Sequence, residues 1–291
     1  MTEIAVEVHR APNARGCEER LLVLEARGIG ARIAYLGDYY AILVAPEQAQ
    51  AARAELAHYA AENQPRRRAR PPVLHAGAAA GALGYVALLV AVAAASTHGI
   101  FGRDWYGAGI LDGTRVRAHE WWRAATALTL HADLAHLAAN LGFGLLFGIP
   151  VSRVLGPGLG WAAIAAAGFI ADLIDGLWMP DGQAALGAST AVFAALGLLA
   201  SRGRAVLGTG RGRAYRAAGL VAALVLLAFL GTGDVHTDIL GHALGFVAGL
   251  ALGAVLGRYP APAGHAAQQA YGIATLAGFI LAWAAALARA G

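Results

Sequence analysis

The sequence predicts an all-α polytopic membrane helix bundle of about seven transmembrane helices, preceded by a small soluble α+β domain. Three observations carry this. Charged residues are only 14% of the 291 and hydrophobic ones 58%, where a soluble chain carries roughly a quarter charged. From about residue 73 onward the apolar residues gather into runs of bilayer length, separated by short polar loops. Glycine, at 39 residues, is abundant in those runs, as suits membrane helices that pack by close backbone approach.

Residues 1–64 read as the soluble domain, in the order βαββα. Alternation through Ile4, Val6 and Val8 predicts a strand, and Asn13 to Arg27, stopped by Gly28, predicts a helix. Ala31–Leu36 and Tyr39–Ala45 flank Gly37-Asp38, a two-residue hairpin signal, and Pro46 opens a second helix to about Glu62. This order, with its EARGIGARI segment, resembles the small signal-transducing domains of bacteria, and no site is assigned to it.

A basic linker, 65–72, contains Arg66-Arg67-Arg68 and Arg70. Placed directly before an apolar run, it is read as a topology signal and not as a nucleic-acid-binding patch. The apolar segments then fall at roughly 73–97, 127–149, 158–178, 186–200, 215–231, 238–256 and 266–288. Arginines of the linker, Arg153, the 202–216 run and Arg258 alternate in the loops with Asp172, Asp175, Asp181, Asp234 and Asp238. By the positive-inside rule the N-terminus is cytoplasmic in a multi-pass cell (inner or plasma) membrane protein, and the 98–125 loop lies outside with the acidic residues. The opening MTEIAVEVHR lacks the basic n-region and apolar core of a signal peptide, so none is expected.

The 186–200 segment is short. About 15 residues give ~22 Å of helix against ~30 Å of hydrocarbon, so irregular backbone before it, 179–185, is expected to line a wet cavity with Ser189 at its mouth.

Exclusions narrow the chemistry. All 22 basic residues are arginine, which removes Ser/Lys dyads, Schiff-base lysines and phosphate-binding loops that need lysine. One cysteine, Cys17, leaves no intramolecular disulfide and no Cys-based metal site. Gly231-Thr232-Gly233-Asp234 supplies a single carboxylate without a partner in another span, so aspartyl dyad chemistry is closed. No cofactor, metal or nucleic acid is expected.

Three polar clusters interrupt the spans at one depth, and polar groups in hydrocarbon are functional candidates. Ser189 opens the fourth segment and His242 the sixth, while His136 and Asn140, four residues apart on one helix face, open the second. A serine hydroxyl becomes a competent nucleophile when a base takes its proton, and imidazole suits that task near neutral pH. His242 lies beside a face of Gly241, Gly245, Gly249 and Gly253, across which close packing would bring it to Ser189. His136, Asn140 and the Ser189 backbone N–H are the candidate oxyanion donors. His131 is about 140° around a helix from His136 and reads as structural. Asp238 reads as a helix N-cap that could also orient His242, and Trp122 with Arg123 as an interfacial aromatic and charge pair.

HADLAHLAANL, GAST, DILGHALGFVAGL and Trp122-Arg123, in that arrangement, resemble the rhomboid family of intramembrane serine proteases. The resemblance spans a six-helix core at 73–257, leaving 258–291 as one extra C-terminal helix. It implies a Ser189–His242 dyad without a third carboxylate, and an oxyanion site lined by His136 and Asn140. It further implies single-span membrane proteins as substrates, cut near the outer face. Two departures stand out: Thr190 follows the serine where the family carries glycine, and Phe193 replaces a tyrosine that stacks under the histidine. Thr190 is the feature that favours the alternative, an inactive rhomboid-like scaffold, chaperone or transporter. The sequence leaves the oligomeric state open.

Overall fold

The computed structural model describes residues 5–63, 75, 77–207, 221, 225, 238–259, 261, 262 and 264–289. The chain divides into two compact units, residues 1–69 and 70–291. The expected fifth span, 215–231, and the basic linker fall outside the described residues apart from Val221 and Val225.

In the first unit, β1 (Val6–Ala11), α1 (Arg15–Ala26), β2 (Ala31–Tyr35), β3 (Tyr40–Val44) and α2 (Ala49–Glu62) form an antiparallel sheet in the order β1-β3-β2 with two helices. Helix α1 ends where Gly28 takes φ 72°, and Ile29 N–H closes back on the Leu24 carbonyl at 3.0 Å. Leu36 N–H to the Tyr39 carbonyl, 2.9 Å, closes the β2–β3 hairpin. Cys17, Leu24, Ile42, Val44 and Ala52 are buried at its core.

The second unit is helical. Its long elements are α3 (Ala78–Thr97), α7 (Leu134–Leu155), α8 (Pro157–Trp178), α9 (Ser189–Leu207), α10 (Ile239–Leu256) and α11 (His265–Arg289). Among the described residues, all of these except α9 are long and apolar enough to cross a membrane. Between α3 and α7 the chain forms α4 (Trp105–Gly109), β4 (Leu111–Asp112), α5 (Gly113–Arg117), α6 (Arg123–Thr126) and a 3-10 turn, Ala127–Thr129.

Four sequence expectations change. The second span starts at Leu134, not 127, because the Asp133 carboxylate accepts the His136 N–H at 2.7 Å and caps the helix there. It also runs past Pro150 to Leu155, stopping at Gly156 with φ 96°. The fourth helix starts at Ser189, not 186, and continues to Leu207; its apolar part is Ser189–Ser201. The 98–125 segment is a folded layer rather than a plain loop, and its β4 pairs with β5 (Ala184–Ala185) inside the stretch expected to be irregular. Asp172 and Asp175, read as markers of the outer surface, are buried in α8, the former beside the Thr190 side chain.

Helix α9 runs through the interior, with Thr190 to Leu198 almost wholly enclosed. Its tightest contact is with α10. A Cβ on Gly245 would stand 2.3 Å from the Thr190 carbonyl oxygen, one on Gly249 2.0 Å from that of Ala194, and one on Gly197 2.1 Å from that of Phe246. Bare backbone therefore meets bare backbone along this seam. Gly249→Ala is expected to destabilise the protein by about 1–3 kcal/mol through overpacking against a carbonyl that cannot give way. Gly272→Ala, whose Cβ meets nothing within 4 Å, is the control and is expected to leave the unfolding temperature unchanged or raised. Thermal unfolding in detergent compares the two.

Candidate active site

Ser189 begins α9 and His242 sits in the first turn of α10. The Asp238 carboxylate caps α10 by accepting the Gly241 N–H at 2.7 Å, and the His242 N–H bonds the Asp238 carbonyl at 3.2 Å. The cap sets where the helix begins and so the direction in which His242 projects. With the glycine seam closed, His242 Nε2 lies 2.7 Å from Ser189 Oγ. Phe193, one turn along α9, stacks under the imidazole with centroids 4.6 Å apart and planes 19° from parallel. His242 Nδ1 is buried and has no hydrogen-bond partner among the described residues. Among the described residues, packing holds the ring. In the neutral tautomer with the proton on Nδ1, Nε2 accepts the seryl hydrogen.

The approach to the serine is built by glycine. Gly187 has φ 127°, and its N–H donates to the Ala127 carbonyl at 2.9 Å. A Cβ there would lie 2.7 Å from His136 Nε2 and 3.6 Å from Asn140 Nδ2. Both side chains thus face the backbone two residues before Ser189. Asn140 is buried, its Nδ2 donates to the His136 carbonyl at 3.2 Å, and its own carbonyl accepts the Tyr85 hydroxyl at 2.7 Å. The structure therefore brings Ser189 and His242 into contact and sets His136 and Asn140 beside Gly187, two residues before Ser189.

The remaining candidates frame this centre. His131 is buried with its ring edge toward His136, centroids 5.2 Å apart, and its carbonyl accepts the Tyr106 hydroxyl at 2.6 Å. Thr190 is buried, its side chain beside Asp172 and its methyl against Gly245. The glycine on α10 supplies the space that the threonine takes.

Trp122 and Arg123 are not an interfacial belt. Both are buried, and Arg123 is a hub of the α4–α6 layer: Nε donates to Glu120 at 2.6 Å, Nη1 to the Ile110 carbonyl at 2.8 Å and Nη2 to that of Gly107 at 3.0 Å. The Arg289 guanidinium stands 5.1 Å over the Trp122 ring. Sequence reasoning singled out neither Arg289 nor the α11 residues that pack on this layer.

A bundle of membrane-length helices with a serine and a histidine in contact beneath one end defines a class of polytopic membrane protein with a nucleophile-type site. Residues 118–259 match the Rhomboid domain family. The chain is 30% identical over 138 residues to Rhomboid-like protease 2 of Toxoplasma gondii, covering 47% of this chain and 48% of that protein. It is also 30% identical over 151 residues to Rhomboid protease GluP of Bacillus subtilis (strain 168), covering 51% of this chain and 29% of that one. The chain thus spans about half or less of the length of these curated relatives. Residues 118–259 thus carry a Rhomboid domain, and the five described helices of membrane-crossing length and hydropathy make the chain a multi-pass membrane protein.

Gly187→Ala tests the approach. The substitution adds backbone strain of about 1–3 kcal/mol at a positive φ and drives a methyl into His136. Modification of Ser189 by a fluorophosphonate probe is expected to slow at least about tenfold, while circular dichroism still reports a helical fold.

Proposed function

We propose that this protein is an intramembrane serine endopeptidase in which Ser189 is the nucleophile and His242 the general base. The observation that carries the proposal is the 2.7 Å contact between Ser189 Oγ and His242 Nε2 in a chain that carries a Rhomboid domain. Ser189 Oγ attacks the scissile carbonyl carbon as its proton passes to His242 Nε2. The carbonyl oxygen becomes an oxyanion, stabilised by the Ser189 N–H, His136 and the Asn140 amide, at about 3 kcal/mol for each well-placed donor. Collapse breaks the C–N bond, and the imidazolium returns its proton to the departing amine. Water, deprotonated by His242, then attacks the acyl-serine and releases the second product, restoring both residues.

No third carboxylate is invoked. Nδ1, which has no partner among the described residues, and the Phe193 stack fit a dyad whose histidine is oriented by packing. No cofactor or metal enters these steps. The substrates are proposed to be single-span membrane proteins whose helix unwinds near the outer face. A cytoplasmic N-terminus in a cell-membrane protein is part of the proposal, supported by the arginine distribution. Thr190, the feature that favoured an inactive scaffold, is accommodated by Gly245 with the Ser–His contact intact.

Purified protein is expected to cleave a transmembrane reporter, with Ser189→Ala and His242→Ala each abolishing turnover and Asn140→Ala lowering kcat by about 10²-fold. Retained cleavage in Ser189→Ala rules out the mechanism.

A further inference from the structure

Helix α11 lies beyond the matched family domain, which ends at residue 259, and most of its surface is exposed. Two polar side chains in it are nevertheless buried and bonded. Near its start, Gln268 Oε1 accepts the N–H groups of Gly158 and Leu159, each at 2.9 Å. Gln268 Nε2 donates to the carbonyls of Leu155 at 3.1 Å and Pro262 at 2.7 Å. It thereby satisfies free groups at the α7–α8 junction, which fixes α11 along its axis. Fifteen residues on, about 22 Å away along the helix, Trp283 Nε1 donates to Thr129 Oγ1 at 3.0 Å. The Thr129 hydroxyl in turn donates to the Thr126 carbonyl at 2.7 Å, so its hydrogen and its acceptor are both committed. The Trp283 ring packs on Trp105 with centroids 4.6 Å apart, and Gly109 approaches it so closely that a Cβ would lie 2.4 Å from Cη2.

Thr129 belongs to the 3-10 turn whose Ala127 carbonyl holds Gly187, two residues before Ser189. The same turn leads through Leu130 and His131 into α7, which carries His136 and Asn140. Both halves of the site are therefore hung on one short turn, and that turn is bonded to α11. In hydrocarbon an unbonded indole N–H or hydroxyl is costly, which makes the pairing specific.

We infer that α11 braces the catalytic loop and that Trp283, through Thr129, is a positioning residue for Ser189 and the oxyanion donors. The inference rests on the protease reading, and it predicts an effect on turnover that a general packing role would not produce.

The test uses the full-length protein in detergent micelles. Trp283→Phe keeps an aromatic ring and removes the donor; Thr129→Val removes the acceptor. Each is expected to lower kcat and the fluorophosphonate labelling rate of Ser189 about five- to tenfold with KM unchanged. Each should also speed hydrogen exchange at the Gly187 amide. The double variant should be no worse than either single one, and Thr129→Ser should restore wild-type values. The brace is overturned if Trp283→Phe changes neither kcat nor Gly187 exchange beyond twofold, or if the two variants act independently. If the wild type neither cleaves nor labels, the protease reading fails, and Gly187 exchange alone still decides whether α11 restrains the loop.

Discussion

The site depends on one constraint, the absence of side chains along the seam between α9 and α10. Two helices separated by ordinary residues stand 8–10 Å apart, too far for a serine and a histidine near their ends to meet without long side chains. Here Gly245 and Gly249 on α10 and Gly197 on α9 bring backbone oxygens to within about 2 Å of where a Cβ would sit. Neither side chain needs to stretch, and the 2.7 Å contact between Ser189 and His242 follows from helix packing. The same closeness explains why the residue after the serine matters. Thr190 fits because Gly245 opposite it has no side chain: a Cβ there would lie 2.3 Å from the Thr190 carbonyl oxygen and 3.1 Å from its methyl.

Placing polar chemistry within a membrane raises a second requirement, that every irregular stretch of backbone find partners inside the protein. The segment between α3 and α7 meets it by folding into a layer. Arg123, almost fully buried, ties the carbonyls of Ile110 and Gly107 to Glu120, and Thr126 Oγ1 donates to the Gly109 carbonyl at 2.7 Å. A buried arginine is costly unless its charge is paired and its donors are used, and here the carboxylate and the two carbonyls do so. That layer holds the 3-10 turn, and the turn holds the loop before Ser189.

Legibility in the sequence divides along the same line. The soluble βαββα order and the long described spans were readable because they depend on local rules, hydropathy runs and turn residues, whereas pairing Ser189 with His242 took the glycine repeat around the histidine and the family resemblance. What escaped depends on contacts between distant residues. Nothing local marks Ala127–Thr129 as a turn outside the second helix, because LTL continues an apolar run; the signal was Asp133, an N-cap residue three before His136. Pro150 invited an early stop that tertiary packing overrode. Gln268 and Trp283 went unremarked as lone amphipathic residues, although a glutamine within a 25-residue apolar helix carries the same burial argument that singled out the serine.

The histidine's surroundings follow from the same physics. A third carboxylate bonded to Nδ1 would have to remain ionised in a largely dehydrated site, where the desolvation cost of a charge can exceed what one hydrogen bond returns. Stacking avoids that cost. Phe193 and His242 lie nearly parallel at 4.6 Å, a contact that fixes the plane of the ring without adding charge and that improves when the ring becomes cationic, since the aromatic face is electron-rich. A phenylalanine serves here as well as a tyrosine would, because it is the face of the ring and not a hydroxyl that meets the imidazole. The orientation of the His242 ring is thus set by the α9–α10 seam, by the Asp238 cap that starts α10 and by Phe193 beneath the ring.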